Sequence, residues 1–367
     1  MTREEIQQAA LEAIRNKKQA GINVSMGVGK TYIGLQDMRL EYHDTAEYLV
    51  VAPTKKILKG WEDEIVKHNM EDLAKHITFS TYRSLNKQDF DKYDVVYLDE
   101  CHSLKFSHGY WLEDFLKADG RLIGMTGTYP VYKKTEKGKM CAHFIPNVYE
   151  YMMDDAVDDN ILNDYQIVVH KLYLDTQKTL KKTGKNGDWE TSERKDYDYW
   201  CDQLEYIAPS REMHTRIMRM KAMQGYPSKI EYMKQLLALQ DDKTIVFVNS
   251  KKQADYVSPY VCYSGKKIVS ETNLENFKAG EIMQLAAVEQ LSQGVNVPNL
   301  KVGIIAHAYA NNRQASQKIG RMLRLNPDDT ATIHILCFYD TVDKTWVKSA
   351  LSKINKEKIQ WIDAFKF

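Results

Sequence analysis

Cysteine is scarce in this 367-residue chain: there are five (Cys101, Cys141, Cys201, Cys262, Cys337), odd in number and widely spaced. That excludes a disulfide framework and fits reduced thiols in a cytoplasm. Cys141 and His143 are neighbours without a second ligand pair, so no zinc site is expected. An excess of one charge is also missing. Lys+Arg 51 against Asp+Glu 50 leaves a formal net charge of +1. A wholly cationic coat is excluded, and any phosphate binding has to come from local basic patches. No apolar run approaches the ~18 residues needed to cross a bilayer. The opening MTREEIQQAALEAI lacks the charged-then-apolar layout of a signal peptide. What is present is ordinary: 43% hydrophobic and 28% charged residues, enough to exclude wholesale disorder. At about 150 residues per domain, the length suggests two domains.

Short apolar runs alternate with amphipathic helical stretches. EYLVVAP (47–53), ITFS (77–80), YDVVYLDE (93–100) and RLIGMTGT (121–128) read as buried strands. KTIVFVNS (243–250), MQLAAVEQ (283–290), LKVGIIAHA (300–308) and ATIHILCFY (331–339) repeat the rhythm, with helix-like segments at 54–67, 271–279 and 312–323. Near-continuous apolar strands separated by helices imply parallel sheets covered on both faces. The expected organisation is two α/β lobes, 1–152 and 166–367, joined by a crossover at 153–165. Residues 176–240 break the rhythm as an inserted polar hairpin and helices, interrupted near Gly225-Tyr226-Pro227. Asn186-Gly187 is the expected hairpin turn.

SMGVGKT (25–31) follows the apolar GINV and precedes a helical pattern. A strand, a glycine turn and a helix start are what triphosphate binding requires. Gly27, Val28 and Gly29 would turn backbone N–H groups toward phosphates at the positive end of a helix. Lys30 would reach the β- and γ-phosphates, and the Thr31 hydroxyl would ligate Mg²⁺. Val24 stands where the eight-residue pattern usually has its first glycine. Further on, YLDECH (97–102) ends a strand, at the rim where parallel sheets bind ligands. Asp99 would hold Mg²⁺ through its water shell, and Glu100 would orient and deprotonate an attacking water.

With these residues in place the chain resembles superfamily 2 helicases and translocases, and the remaining motifs occur in that family's order. MGVGKT carries Met26 as in Swi/Snf-type motors. VAPTKKILKGWEDEI (51–65) and FSTY (79–82) match the strand-contact motifs, DECH the Walker B box and TGT (126–128) the coupling motif. IVFVNSKKQAD (245–255), SQGVNVP (292–298) and QKIGRMLR (317–324) follow. Compact phage-encoded helicases of the UvsW kind look most similar, with type III restriction translocases as cousins. The resemblance implies two RecA-like lobes with ATP in the cleft between them. It makes Gln7 an adenine-reading glutamine and Arg321 and Arg324 arginine fingers. His102 and Gln317 become a γ-phosphate switch, while Thr126, Thr128, Gly294 and Asn296 become coupling residues. Asn296 stands where many relatives carry Asp. Nucleic-acid contacts would come from Thr54, Lys55, Thr81 and Tyr82 in the first lobe and Asn249, Ser250 and Lys251 in the second. Trp61 would pack its helix rather than stack on a base.

The function implied is ATP-dependent, 3′ to 5′ unwinding or remodelling of forked or branched DNA by a cytoplasmic monomer needing ATP and Mg²⁺. DNA is favoured over RNA because KGWEDEI and DECH look like DNA motors. Alternatives are a duplex translocase that never separates strands, an RNA helicase, a P-loop small-molecule kinase and a non-hydrolysing binding module. The kinase needs no Gln-x-x-Gly-Arg-x-x-Arg segment, and the intact Lys30, Asp99 and Glu100 argue against the binding module. Trp189, just past the hairpin tip beside Lys178, Lys181, Lys182 and Lys185, is the candidate strand-separating wedge.

Overall fold

The computed structural model describes residues 1–25, 27–130, 135–184, 187–263, 265, 267–288, 297–307, 319 and 329–365. They divide into two compact units, Met1–Asn163 and Asp164–Phe367. Residues 153–163, expected in the crossover, fall in the first unit, where Met153–Asp158 is helical.

In the first unit the described strands are β1 (Gln19–Val24), β2 (Tyr48–Ala52), β3 (Ile77–Thr81), β4 (Val95–Asp99), β5 (Arg121–Thr126) and β6 (Asn147–Tyr151), in the order β3-β2-β4-β5-β1-β6. Every described pairing is parallel. All residues of β2 and β4 are buried, which explains their unbroken apolar runs: helices cover both faces. The order sets the three chemistry-bearing strand ends side by side. Asn23 of β1 pairs with Thr126 of β5, and Asp99 of β4 pairs with Met125 of β5. Underneath, Asp37 receives a two-pronged bond from Arg121 at 2.6 and 3.0 Å and the Tyr97 hydroxyl at 2.7 Å. This buried network ties the helix Lys30–Leu40 to β4 and β5.

The second unit contains β7 (Asp164–Leu172), the antiparallel hairpin β8 (Leu180–Gly184) and β9 (Gly187–Thr191), β10 (Thr244–Val248), β11 (Val261–Cys262), β12 (Gln284–Val288), β13 (Val302–Ile305), β14 (Thr330–Phe338) and β15 (Ile359–Asp363). Its main sheet runs β11-β12-β10-β13-β14-β7-β15, again with parallel pairings. The eight strands read from the sequence, the strand before the phosphate loop and the hairpin are all present. β6, β7, β11 and β15 add to them.

The hairpin register differs by one residue from the expected turn. Gly187 pairs with Gly184 and so belongs to the ladder. The helices Glu193–Tyr206, Pro209–Gln224 and Pro227–Ala238 follow, with a break at Ala208-Pro209 besides the one at Gly225. A buried polar chain crosses the sheet nearby. The Tyr232 hydroxyl lies 2.7 Å from His170 Nδ1, and His170 Nε2 lies 2.9 Å from His334 Nδ1. Among the described residues no helix is long and apolar enough to cross a membrane.

Candidate nucleotide site and its neighbours

The loop between β1 and the helix Lys30–Leu40 is shaped by two glycines. Gly27 and Gly29 have φ of 93° and 102°, the left-handed region that a side chain resists. Gly29 is the helix N-cap and no side chain caps that end. The first-turn N–H groups are therefore presented to a ligand, together with the positive end of the helix dipole. Lys30 Nζ donates to the Val24 carbonyl at 3.2 Å, which keeps the ammonium at the strand's end. Gln7, on the helix Arg3–Ile14, donates its amide to the Val28 carbonyl at 2.6 Å. A Cβ at Gly29 would meet Gln7 Nε2 at 2.7 Å, so the side chain braces the loop as well as facing it.

Asp99 ends β4 and is only 6% exposed. Its Oδ1 accepts from Glu100 N–H at 2.8 Å and its Oδ2 from the Trp61 indole N–H at 2.9 Å. Burial pushes this carboxyl above its ordinary range, against the Trp61 hydrogen bond and the nearby Lys30 charge. Each oxygen keeps lone-pair capacity beyond its one bond. Glu100 follows in a left-handed conformation, φ 48°, which is costly for a side-chain-bearing residue and turns its carboxylate back over the sheet end.

Thr126 ends β5. Its hydroxyl donates to Glu100 Oε2 at 3.2 Å and accepts from Thr128 N–H at 3.0 Å. His102 Nδ1 lies 2.7 Å from Thr126 Oγ1, 3.2 Å from Glu100 Oε2 and 3.3 Å from Thr128 Oγ1. With the Thr126 proton given to Glu100, the inferred tautomer has His102 protonated at Nδ1. Asn23, which the sequence reading missed, accepts from Tyr129 N–H at 3.1 Å and stitches β1 to this coupling segment. Its signal was a polar residue in a buried strand beside the loop.

The residues fit a magnesium nucleotide. Uncapped N–H groups and Lys30 suit phosphate, while Thr31 and the buried, hydrogen-bonded Asp99 suit a hard cation with oxygen ligands. Among the described residues no His, Cys, Asp and Glu cluster could hold a metal by itself. Cys141 is buried, and His143 pairs with Glu113 at the surface.

The expected strand contacts are placed differently. Thr54 and Lys55 are exposed at the head of the helix Lys55–Lys67, and Thr81 is half-buried at the end of β3. Tyr82 is a correction: it is buried, and its hydroxyl donates to the Asp99 carbonyl at 2.9 Å, so it does not face a strand. Trp61 is fully buried, as its packing role required, but its bond to Asp99 was not anticipated. In the second unit Asn249, Ser250 and Lys251 follow β10, with Ser250 capping the helix Lys251–Val257. Trp189 is 52% exposed and lies across Gly184 on the opposite hairpin limb. Met26, Lys185, Asn186, Gly294, Asn296, Gln317, Arg321 and Arg324 lie outside the described residues.

Residues 1–131 match the family model of the type III restriction enzyme res subunit, and residues 228–326 that of the helicase conserved C-terminal domain. The chain is 26% identical over 363 residues to the DNA 3'-5' translocase XPB2 of Sulfurisphaera tokodaii, covering 90% of this chain and 80% of that protein. In fold it is similar to the DNA-bound ATP-dependent Type ISP restriction-modification enzyme LlaBIII: TM-score 0.63, 13% identity, 99% of this chain and 31% of that one. S. cerevisiae Dbp5 bound to RNA and ADP BeF3 superposes with TM-score 0.58 and 12% identity, over 98% of this chain and 90% of that one. The two parallel α/β units are RecA-like. With both family models matched in order, the chain is an ATP-dependent helicase of superfamily 2.

Proposed function

We propose that this protein is a monomeric DNA motor that uses ATP and Mg²⁺ to move 3′ to 5′ and to unwind or remodel forked or branched DNA, as a compact phage-type enzyme would. The observation that carries a motor reading is the contact of His102 with Glu100, Thr126 and Thr128. A phosphotransferase acting on a small molecule has no use for a link from its water-activating carboxylate to a second strand end. A motor needs that link, because hydrolysis and strand grip must change together. The DNA-acting XPB2 and DNA-bound LlaBIII support DNA as the track.

In this reading the phosphates sit on the N–H groups at Gly27–Gly29 and on Lys30, and Thr31 and Asp99 hold the cation. Glu100 takes the proton of the attacking water, and Gln7 reads the adenine while bracing the loop. Arg321 and Arg324, with Gln317, stabilise charge on the γ-phosphate. Gly294 and Asn296 share the coupling role, and Thr54, Lys55, Thr81, Asn249, Ser250 and Lys251 hold strand phosphates.

ATP turnover measured alone and with single-stranded DNA, duplex, fork, four-way junction and RNA tests this. Stimulation greatest with forked or branched DNA is expected. If four to six phosphates are engaged, log affinity falls with log salt at a slope of about −3 to −4. Turnover indifferent to every nucleic acid returns the kinase reading, and stimulation by RNA alone changes the track.

A further inference from the structure

Asp99 receives hydrogen bonds from two buried aromatic side chains, and both belong to segments that also carry candidate strand contacts: the exposed Thr54 and Lys55, and the half-buried Thr81. Trp61 lies on the helix headed by the exposed Thr54 and Lys55, and it donates to Asp99 Oδ2 at 2.9 Å. Tyr82 directly follows Thr81 and donates to the Asp99 main-chain carbonyl at 2.9 Å. One bond therefore fixes the carboxylate's rotation, and the other fixes the strand end from which Glu100 makes its left-handed turn.

The indole has no room to move independently. It is fully buried, tilted against Tyr97 with ring centroids 6.4 Å apart. It also presses on Gly34 of the phosphate-loop helix, where a Cβ would come within 2.6 Å of it. Lys55 and Trp61 are six residues apart on one helix, a rigid span of about 9 Å. A shift at the helix head is thus delivered to the carboxylate, because close-packed interiors transmit displacement rather than absorb it.

We propose that Trp61 and Tyr82 are positioning residues that couple strand contact at Thr54, Lys55 and Thr81 to the orientation of Asp99. The inference rests on the reading of these segments and of Asp99 given under Proposed function. It makes strand binding set the metal-side carboxylate directly within the first unit, in addition to the route through Thr126 and His102.

Trp61→Phe removes the indole N–H and keeps an aromatic ring, while Tyr82→Phe removes one hydroxyl. In the full chain, ATP turnover is measured with and without a single-stranded oligothymidylate. The oligonucleotide's affinity is then measured with and without a non-hydrolysable ATP analogue plus Mg²⁺. Each variant should lose more stimulated than basal turnover, so that their ratio drops about tenfold. The analogue's effect on oligonucleotide affinity should shrink comparably, since coupling between two binding sites is reciprocal. Wild-type ratio and coupling in both variants overturn the proposal. So does a parallel fall of basal and stimulated rates that tracks a lower melting temperature, which marks a purely structural role. If Trp61→Phe fails to fold, Tyr82→Phe, which leaves no cavity larger than an oxygen atom, decides alone. An unmutated chain that no strand stimulates defeats the motor reading itself, and the inference falls with it.

Discussion

Lowering the pH from 7.5 to 5 should destabilise the second unit by about 4 kcal/mol, through two histidines outside the candidate nucleotide site. The Tyr232 oxygen accepts from Phe365 N–H at 3.2 Å, and its hydroxyl is assigned as the donor to His170 Nδ1 at 2.7 Å. His170 then carries its own proton on Nε2 and donates it to His334 Nδ1, leaving a fully satisfied neutral chain. Protonation of both rings would set two N–H groups face to face at 2.9 Å. Burial lowers both rings from an ordinary 6.5 to about 4, with the neighbouring His334 adding to the effect at His170.

A histidine with a lowered folded value takes up its proton only on unfolding. Its contribution is fully present above about pH 6.5 and is lost as the pH falls toward 4. At pH 5 an unfolded ring is protonated and a folded one is not, a difference of about 2 kcal/mol per ring. Urea unfolding at pH 7.5 and 5, followed by tryptophan fluorescence, reads the change while ordinary carboxylates stay ionised. His334→Asn should remove about half of the pH dependence. Equal stability at both pH values, or an unchanged dependence in His334→Asn, would refute the reasoning.

Three further outcomes are expected. Lys30→Ala should abolish triphosphate binding and Glu100→Gln should keep it while blocking turnover. Arg321→Ala or Arg324→Ala should slow nucleic-acid-stimulated turnover by about 10³–10⁵ with ATP affinity within about tenfold, and normal hydrolysis by both arginine variants contradicts the site. Asp37→Ala leaves the Arg121 guanidinium and the Tyr97 hydroxyl without their shared acceptor, and should cost about 3–5 kcal/mol in thermal or urea unfolding of the first unit. A loss under about 1 kcal/mol there means the network is dispensable. Finally, replacing 181–190 with a Gly-Ser linker tests Trp189 as a wedge and spares Ser192, which caps its helix, and Glu193, which holds Ser228 and Asp175. Unwinding of a fork should drop at least about tenfold while strand-stimulated hydrolysis persists, and unimpaired unwinding removes the wedge.

The sequence by itself determined the architecture and singled out the candidate nucleotide-site residues. Strands such as Val95–Asp99 are buried on both faces, so their apolar runs are unbroken and easily seen. The phosphate loop and DECH box are local patterns, because a strand end, a glycine turn and a helix start are contiguous in the chain. Tertiary structure decided what depends on partners distant in sequence. The short, half-exposed β15 (IQWID) has no such apolar run, and it becomes a strand by pairing with β7, nearly 200 residues earlier. Gly187 joins the hairpin ladder because the pairing register, and not the Asn-Gly dipeptide, sets where the turn falls. Tyr82 sat in a motif that suggested surface contact, and only the sheet order, with β3 beside β2 and β2 beside β4, brought its hydroxyl to the Asp99 carbonyl. The partners of Trp61 and His170 lie 38 and 164 residues away. No periodicity or spacing encodes such a bond, since it forms only after hydrophobic burial has brought the two elements together.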